Sequence, residues 1–169
     1  AFADISVFKE DFSSITGPLV GQGGWTGGYS SDTWQVSNGA ASPKTDDNGS
    51  GSGWLNSANS NDVLNGSSYW RDYVFDATFN NTDDDTVGMV FRYQDASNFY
   101  LFFLSRDSWP STGSVTTANS SITSRLYLIR NAVASELASS SISYTVGRTH
   151  LSRVRVRGSS IEVFFDDDG

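Results

Sequence analysis

The sequence predicts an all-β fold, an antiparallel sandwich of two sheets, from its patterning and its composition. Several segments alternate apolar and polar residues with the period of two that turns one side of a strand toward a core. The acidic residues are sixteen aspartates against three glutamates, and aspartate is a turn residue that is poor in helices. Short strands in large number, with no long helix, are typical of a β-sandwich.

The predicted strands follow one another along the whole chain. The first part carries short strands, predicted at residues 6–12, 33–36 and 53–55. The second part carries longer strands, predicted at residues 69–79, 87–94, 98–105, 125–130, 149–157 and 161–165. Only residues 132–137 have a helical composition, and this segment is too short for a stable helix. Two polar segments, 46–68 and 105–124, are predicted as long loops.

The alternation also assigns side chains to the core. The inward-facing set consists of Tyr73, Phe75, Ala77, Phe79, Met89, Phe91, Tyr93, Val154, Val156, Ile161, Val163 and Phe165. The residues between them are polar or charged, so each of these strands has one wet face.

Length, charge and composition exclude several classes of protein. A chain of 169 residues can build a core without crosslinks, and we predict one domain over residues 1–169. The net charge of −8 argues against nucleic-acid binding, which requires clustered basic residues. Cysteine is absent, so thiolate chemistry and disulfides within the chain are excluded. No run of about 18 apolar residues is present to span a membrane.

Three adjacent aspartates, Asp83, Asp84 and Asp85, lead directly into an apolar strand. Adjacent carboxylates are the oxygen ligands that calcium prefers, and a solvated turn has the same composition. The segment does not match an EF-hand, because Val87 and Gln94 occupy positions where that loop needs ligands. From the residues alone, a calcium site and a solvated turn remain equal alternatives.

Four segments together resemble the concanavalin-like jelly-roll modules of the thrombospondin C-terminal type, which are related to laminin G-like and carbohydrate-binding modules. They are WRDYVFDATF, TDDDTVGMVFRYQDASNFYLFF, LYLIR and HLSRVRVRGSSIEVFFDDDG. The opening FKEDFSS and the segment WQVSNGA fit the start of such a module. The resemblance covers nearly the whole chain, although the cysteines of animal thrombospondins and the C-terminal part of the module are missing.

The resemblance implies a jelly-roll sandwich, secretion or cell-surface location, bound calcium, and recognition of glycan or matrix proteins without catalysis. It favours calcium at Asp83, Asp84 and Asp85, with Glu10 or Asp11 as further ligands. Four sequons agree weakly with secretion and mark candidate glycosylation sites at Asn48, Asn65, Asn80 and Asn119.

Catalytic residues are not predicted. Glycosidases of this fold class need two carboxylates on one strand, and Glu10, Glu136 and Glu162 are scattered. Asp72 and Asp76 share a strand face but stand about 13 Å apart by strand rise, wider than either glycosidase geometry needs. A concanavalin-like glycoside hydrolase is therefore the weakest of the alternatives.

Polar side chains on the outward face predict a second candidate site. Asp72, Asp76, Arg92 and Gln94 could form a groove that hydrogen-bonds sugar hydroxyls. The alternative is a salt-bridged sheet surface in which Arg92 pairs with Asp76, and the two are equally supported.

The arginines at positions 153, 155 and 157 form a basic stripe that could bind polyanions. We expect Glu162 and Asp166 to face the same side and cancel much of this charge. A solvated sheet face is therefore the favoured interpretation of the stripe.

One strand pair is apolar on both faces. The outward set consists of Phe99, Leu101, Phe103, Tyr127 and Ile129. Such a face must be covered, either by the loop 105–124 or by a neighbouring chain in an extracellular assembly. The aspartates after Phe165 have turn composition, so we also expect missing C-terminal strands, supplied by a longer polypeptide or by a neighbour, near Phe8 and Phe12.

Overall fold

A computed structural model describes residues 8–27, 34–43, 62–64, 70–84, 86–106 and 122–166. These residues contain twelve strands and no helix, so the predicted all-β class is confirmed. All described strand pairs are antiparallel. The chain divides into two compact units, one of residues 1–48 and 57–65 and one of residues 49–56 and 66–169. That the whole chain forms one domain stays a prediction.

The described residues of the first unit form five short strands. They are β1 (Gly17–Pro18), β2 (Trp25–Gly27), β3 (Trp34–Ser37), β4 (Ala40–Pro43) and β5 (Asp62–Leu64). One sheet has the order β1-β3-β4, and β2 pairs with β5. Asn38 and Gly39 join β3 to β4 with φ angles of 52° and 73°, as a two-residue hairpin turn requires. A small cluster of Ile15, Leu19 and Val36 forms the core of this unit.

The second unit holds the longer strands. They are β6 (Tyr73–Asn80), β7 (Val87–Asp95), β8 (Asn98–Leu104), β9 (Ser124–Arg130), β10 (Val133–Ser140), β11 (Thr149–Arg157) and β12 (Ser160–Phe165). They form a four-stranded sheet of order β10-β9-β8-β7 and a three-stranded sheet of order β12-β11-β6. The four-stranded sheet is a meander of consecutive hairpins, whereas β6 and β11 pair across the whole meander.

The two sheets of this unit face each other across one hydrophobic core, which makes a β-sandwich. Its buried centre consists of Met89, Phe91, Phe102, Leu104, Tyr144, Val154 and Val156. Side chains of β6 and β12 pack against this centre as the alternation predicts, namely Tyr73, Phe75, Ala77, Phe79, Ile161, Val163 and Phe165. The inward assignment is confirmed for these strands, and the jelly-roll topology stays a prediction.

The four-stranded sheet is buried on its other face as well. Phe99, Leu101, Phe103, Tyr127 and Ile129 are each between 1% and 6% exposed. Phe103 and Tyr127 stack on neighbouring strands at 5.9 Å between ring centres. The predicted outward apolar set is therefore buried within the chain itself and is not an open patch.

A register shift in β7 corrects the prediction for residues 92–94. The pairing of β7 with β8 is irregular between Phe91 and Asp95, and Arg92 has a φ of 48°. Tyr93 consequently contacts Phe99 at 5.8 Å between ring centres, on the face away from the core, where an inward position was expected. Arg92 turns toward the three-stranded sheet instead, because the bulge reverses the alternation.

Two predicted elements differ from the structure. Residues 8–12 of the expected strand 6–12 are irregular, and residues 6 and 7 lie outside the described part. The segment 132–137 belongs to β10 and its preceding turn, because its composition has no alternation to mark it as a strand. The strand expected at 53–55 lies outside the described residues, and so does most of both predicted loops.

Gly88 allows β7 to approach β8 closely. A Cβ built at Gly88 would stand 2.5 Å from the Phe102 carbonyl oxygen and 3.0 Å from the Phe103 Cβ. Real Cβ atoms do not approach a backbone oxygen so closely, so any side chain here would push the two strands apart.

We expect Gly88→Ala to lower the free energy of unfolding by about 1–3 kcal/mol, the usual cost of overpacking. Urea unfolding followed by circular dichroism measures this cost. Ser160→Ala, on an exposed position of β12, is the control and should change stability by less than about 0.5 kcal/mol. A Gly88→Ala variant as stable as the wild type would contradict the close approach of the two strands.

Candidate functional site

The bend between β6 and β7 carries two of the predicted calcium aspartates. Asp83 and Asp84 are both exposed, and Asp85 lies outside the described residues. The Asp83 N–H donates to Asn81 Oδ1 at 3.3 Å, and the Asp84 N–H donates to Asp83 Oδ1 at 2.8 Å. These local bonds are typical of aspartate and asparagine in turns.

Tyr144 holds this bend against the core. Its ring is 1% exposed, and its hydroxyl donates to the Asp83 carbonyl at 3.0 Å and accepts from Asn81 Nδ2 at 3.0 Å. The Gly147 N–H also donates to the Asn81 carbonyl at 2.7 Å. The backbone that carries the two aspartates is therefore fixed by the segment before β11. Sequence reasoning missed Tyr144 because its surroundings show no strand alternation.

Arg106 closes the same end of the sandwich from a third segment. Its N–H donates to the Asp84 carbonyl at 3.1 Å, and its guanidinium donates to the Tyr144 carbonyl at 3.1 Å. Hydrogen bonds thus join three chain segments at this end of the sandwich, namely the bend at 81–84, Arg106 and the segment 144–147.

Glu10 and Asp11, the other expected calcium ligands, lie in the first unit. Glu10 Oε1 accepts the Phe12 N–H at 2.7 Å, and Asp11 Oδ1 accepts the Ser13 N–H at 3.0 Å. The side-chain and backbone hydrogen bonds with Ser13 lower the pKa of Asp11. Both carboxylates therefore have local structural contacts in a turn.

The described residues contain no group of three or more His, Asp or Glu side chains placed to hold a metal ion. Asp83 and Asp84 supply carboxylate oxygens of the kind that calcium binds, but a calcium site needs six to eight oxygens. Asp83 and Asp84 lie next to each other in the bend, and calcium binding stays a prediction.

The four residues of the predicted sugar groove do not share one surface. Arg92 donates to the Gly158 carbonyl at 2.6 Å and to the Arg71 carbonyl at 3.1 Å. Its guanidinium also lies 3.9 Å from Asp72, whose carboxylate accepts the Gly158 N–H at 2.7 Å. Arg92 and Asp72 therefore hold the β11–β12 turn to the start of β6, which is a structural role. Gln94 is exposed at the end of β7.

Asp76 pairs with Arg153, and not with Arg92 as in the salt-bridged alternative considered from the sequence. The Arg153 guanidinium donates to both Asp76 oxygens, at 2.8 and 2.9 Å. The two residues are cross-strand partners in the pairing of β6 with β11, so the register of the sheet sets this contact.

The outer face of the three-stranded sheet presents ordered charges beside an aromatic ring. We define this face by Val74, Asp76, Arg153, Arg155, Glu162 and Phe164. Arg155 donates to Glu162 at 3.3 Å and lies 5.0 Å from the centre of the Phe164 ring. Glu162 offsets the arginine stripe as predicted, whereas Asp166 turns away to His150 and Asp76 takes its place.

His150 is buried at one end of the core, with both ring nitrogens engaged. Nδ1 lies 2.6 Å from Asp166 Oδ2, and Nε2 accepts the Thr145 N–H at 2.9 Å. The ring stacks on Phe165 at 5.0 Å between centres. With both nitrogens in these contacts, the histidine is positioned as a structural group and has no free nitrogen for general-base work.

Arg125 and Glu136 form an ion pair between β9 and β10. The Arg125 side chain is 6% exposed, and the Glu136 side chain is 36% exposed. Burial raises the pKa of Glu136, but hydrogen bonds from Ser139 and Arg125 outweigh this and hold the pKa below its usual value. The pKa of Asp166 is lowered in the same way, because bonds from His150 and the Leu151 N–H outweigh the effect of burial.

Among the sequons, Asn80 is exposed at the end of β6, and its Nδ2 lies 3.3 Å from the Gly147 carbonyl. Asn48, Asn65 and Asn119 lie outside the described residues.

The chain matches no family model, and comparisons with curated proteins and with solved structures likewise find no match. In the part of the chain that the structure describes, no helix is long and apolar enough to cross a membrane.

We expect Tyr144→Phe to lower the free energy of unfolding by about 1–3 kcal/mol, because the Asp83 carbonyl and the Asn81 amide lose their partner. Amide exchange of the bend at residues 81–84 should accelerate as well. The control is Tyr93→Phe, at a partly exposed ring, which should stay within about 0.5 kcal/mol of the wild type. Equal stability of the two variants would show that the hydroxyl does not hold the bend.

We expect the lowered pKa values of Glu136 and Asp166 to make stability depend on acid. A carboxyl with a lowered pKa in the folded state stabilises the fold fully above its ordinary pKa, here 4.5 and 3.8. That contribution is lost as the pH falls through the lower folded values. Glu136→Gln should therefore destabilise the protein at neutral pH and flatten the decline of melting temperature below about pH 4.5.

The control for this experiment is Glu162→Gln, which removes an exposed ion pair of small energetic value. Its melting temperature should follow the wild type across the acid range. A Glu136→Gln variant with an unchanged acid profile would contradict the role assigned to this carboxylate.

Proposed function

We propose that this chain is a non-catalytic, secreted β-sandwich module that recognises glycans or matrix proteins and binds calcium. The observation that carries the proposal is the outer face of the three-stranded sheet, where paired charges and an aromatic ring lie side by side. The proposed binding surface differs from the groove expected from the sequence. Of the four groove residues, only Asp76 belongs to the outer face.

The chemistry of this face suits sugar hydroxyls. A guanidinium held by two bonds to a carboxylate has a fixed orientation, so it loses little side-chain entropy when it contacts a ligand. Asp76 and Arg153 form such a pair, with distances of 2.8 and 2.9 Å. Phe164, which is the cross-strand partner of Arg153, offers a ring on which the apolar side of a sugar can pack.

The contacts of the acidic side chains support a binding module over a hydrolase. A glycosidase needs two carboxylates that face a substrate across about 5–10 Å. Asp76, Glu136 and Glu162 are each paired with an arginine on a neighbouring strand. Because these carboxylates are held in ion pairs, we assign none of them a catalytic role.

Calcium fits the proposal at the bend of Asp83 and Asp84. The two carboxylates are exposed, while Tyr144 and Arg106 hold their backbone in place. A fixed backbone lowers the entropic cost of gathering ligands around an ion. Calcium there would stabilise the folded state by mass action.

The test is binding of the intact protein to an array of glycans and matrix proteins, with calcium and with a chelator. Arg153→Ala should weaken binding by at least about tenfold, the effect of losing one charged hydrogen bond. The control Arg130→Ala removes an exposed arginine at the end of β9, in the other sheet. The chelator should lower the melting temperature of the wild type.

Three results would count against the proposal. An array without any bound ligand would remove its basis, and equal losses in the two arginine variants would place binding elsewhere. A melting temperature unaffected by calcium and chelator would exclude the calcium site.

A further inference from the structure

Among the strands of the described residues, β10 lies at an edge of its sheet and is exposed on both faces. It pairs with β9 and is the last strand of the four-stranded sheet. Seven of its eight residues are exposed. An exposed edge presents a row of backbone donors and acceptors that can pair with another strand.

The other edges of the sandwich are more protected than β10. Strand β6 buries every second side chain in part, and β12 and β7 bury parts of theirs. Natural edge strands are usually shortened, or carry lysine, proline or a β-bulge, to prevent pairing. Of these devices β10 has a bulge at Leu137. Residues 133–140 of β10 contain neither lysine nor proline, and the strand runs for eight residues.

The side chains of β10 are apolar or small. Val133 is 60% exposed and Leu137 is 49% exposed. Glu136 is the one charged residue of the strand, and the Arg125 guanidinium on β9 neutralises it. A second strand that pairs with β10 therefore needs no positive charge to balance Glu136.

The sequence of β10 is compatible with its own copy. In an antiparallel pair with Leu137 on the two-fold axis, Glu136 lies opposite Ala138 of the second copy, and Ser135 lies opposite Ser139. No two carboxylates then face each other, which avoids the repulsion of like charges on neighbouring strands. Leu137 is the residue that the bulge leaves without a partner on β9, and on the axis it meets its own copy, as in any two-fold interface.

We propose that β10 pairs antiparallel with β10 of a second copy of this chain, which joins two four-stranded sheets into one. The proposal is independent of the glycan-binding function, since the outer face of the three-stranded sheet belongs to other strands. One strand pair buries less than the roughly 1,600 Å² of a standard interface, so we expect dissociation in the micromolar range or above.

The experiment is sedimentation equilibrium of the full chain from about 1 μM to 1 mM, a range that brackets this affinity. The wild type should pass from one chain mass to twice that mass. Leu137→Lys puts two lysines on the axis and should weaken dimerisation by at least roughly tenfold. The matched control is Val74→Lys, which is 51% exposed on the other sheet and should dimerise like the wild type.

Amide hydrogen exchange of the wild type gives a second readout that needs no variant. Protection of β10 amides should rise with protein concentration, while protection of β12 amides should not. A wild type that stays monomeric over the whole range overturns the proposal, as do oligomers that grow beyond the dimer. The proposal is also overturned if Leu137→Lys and Val74→Lys change dimerisation equally, or if the protection of β10 amides does not depend on protein concentration.

Discussion

The hydroxyl of Tyr144 is the contact on which one end of this sandwich depends. The ring lies in the core between the two sheets and meets Phe79 and His150 edge-on. The hydroxyl leaves the core and bonds the bend of residues 81–84. A buried phenol needs a partner for its hydroxyl, and the bend needs partners for its backbone groups. One side chain satisfies both needs, so core packing and loop position are set together.

The sequence predicted the strands that have one solvent-exposed face and one buried face. β6, β11 and β12 alternate along their length, and the alternation reports burial directly. β10 was missed because exposure on both sides removes the alternation, so its small residues resembled a helix. The positive φ of Arg92 could not be predicted from the sequence either. A bulge shifts every later residue to the opposite face, and a short pattern of polar residues cannot reveal that shift.

The candidate sites were less predictable than the fold, because they depend on pairing between distant strands. Asp76 was recognised as an outward carboxylate, but its partner is set by the register of β6 against β11. The sequence analysis considered Arg92 as its partner, because nothing in the sequence shows which arginine lies opposite Asp76. Asp166 shows the same limit, since its hydrogen bonds to His150 and the Leu151 N–H follow from the end of β12 lying beside the start of β11.

The pairing of β6 with β11 has a consequence for how the chain folds. Strands β7 to β10 are joined by consecutive hairpins, so each of their pairings closes a loop within the meander. Phe75 and Val154, in contrast, become neighbours only after the entire meander has been placed between them. Contacts of such sequence separation slow folding. We therefore expect the pairing of β6 with β11 to form after the local hairpins, and until it forms the apolar inner face of the meander lies open to water and to other chains.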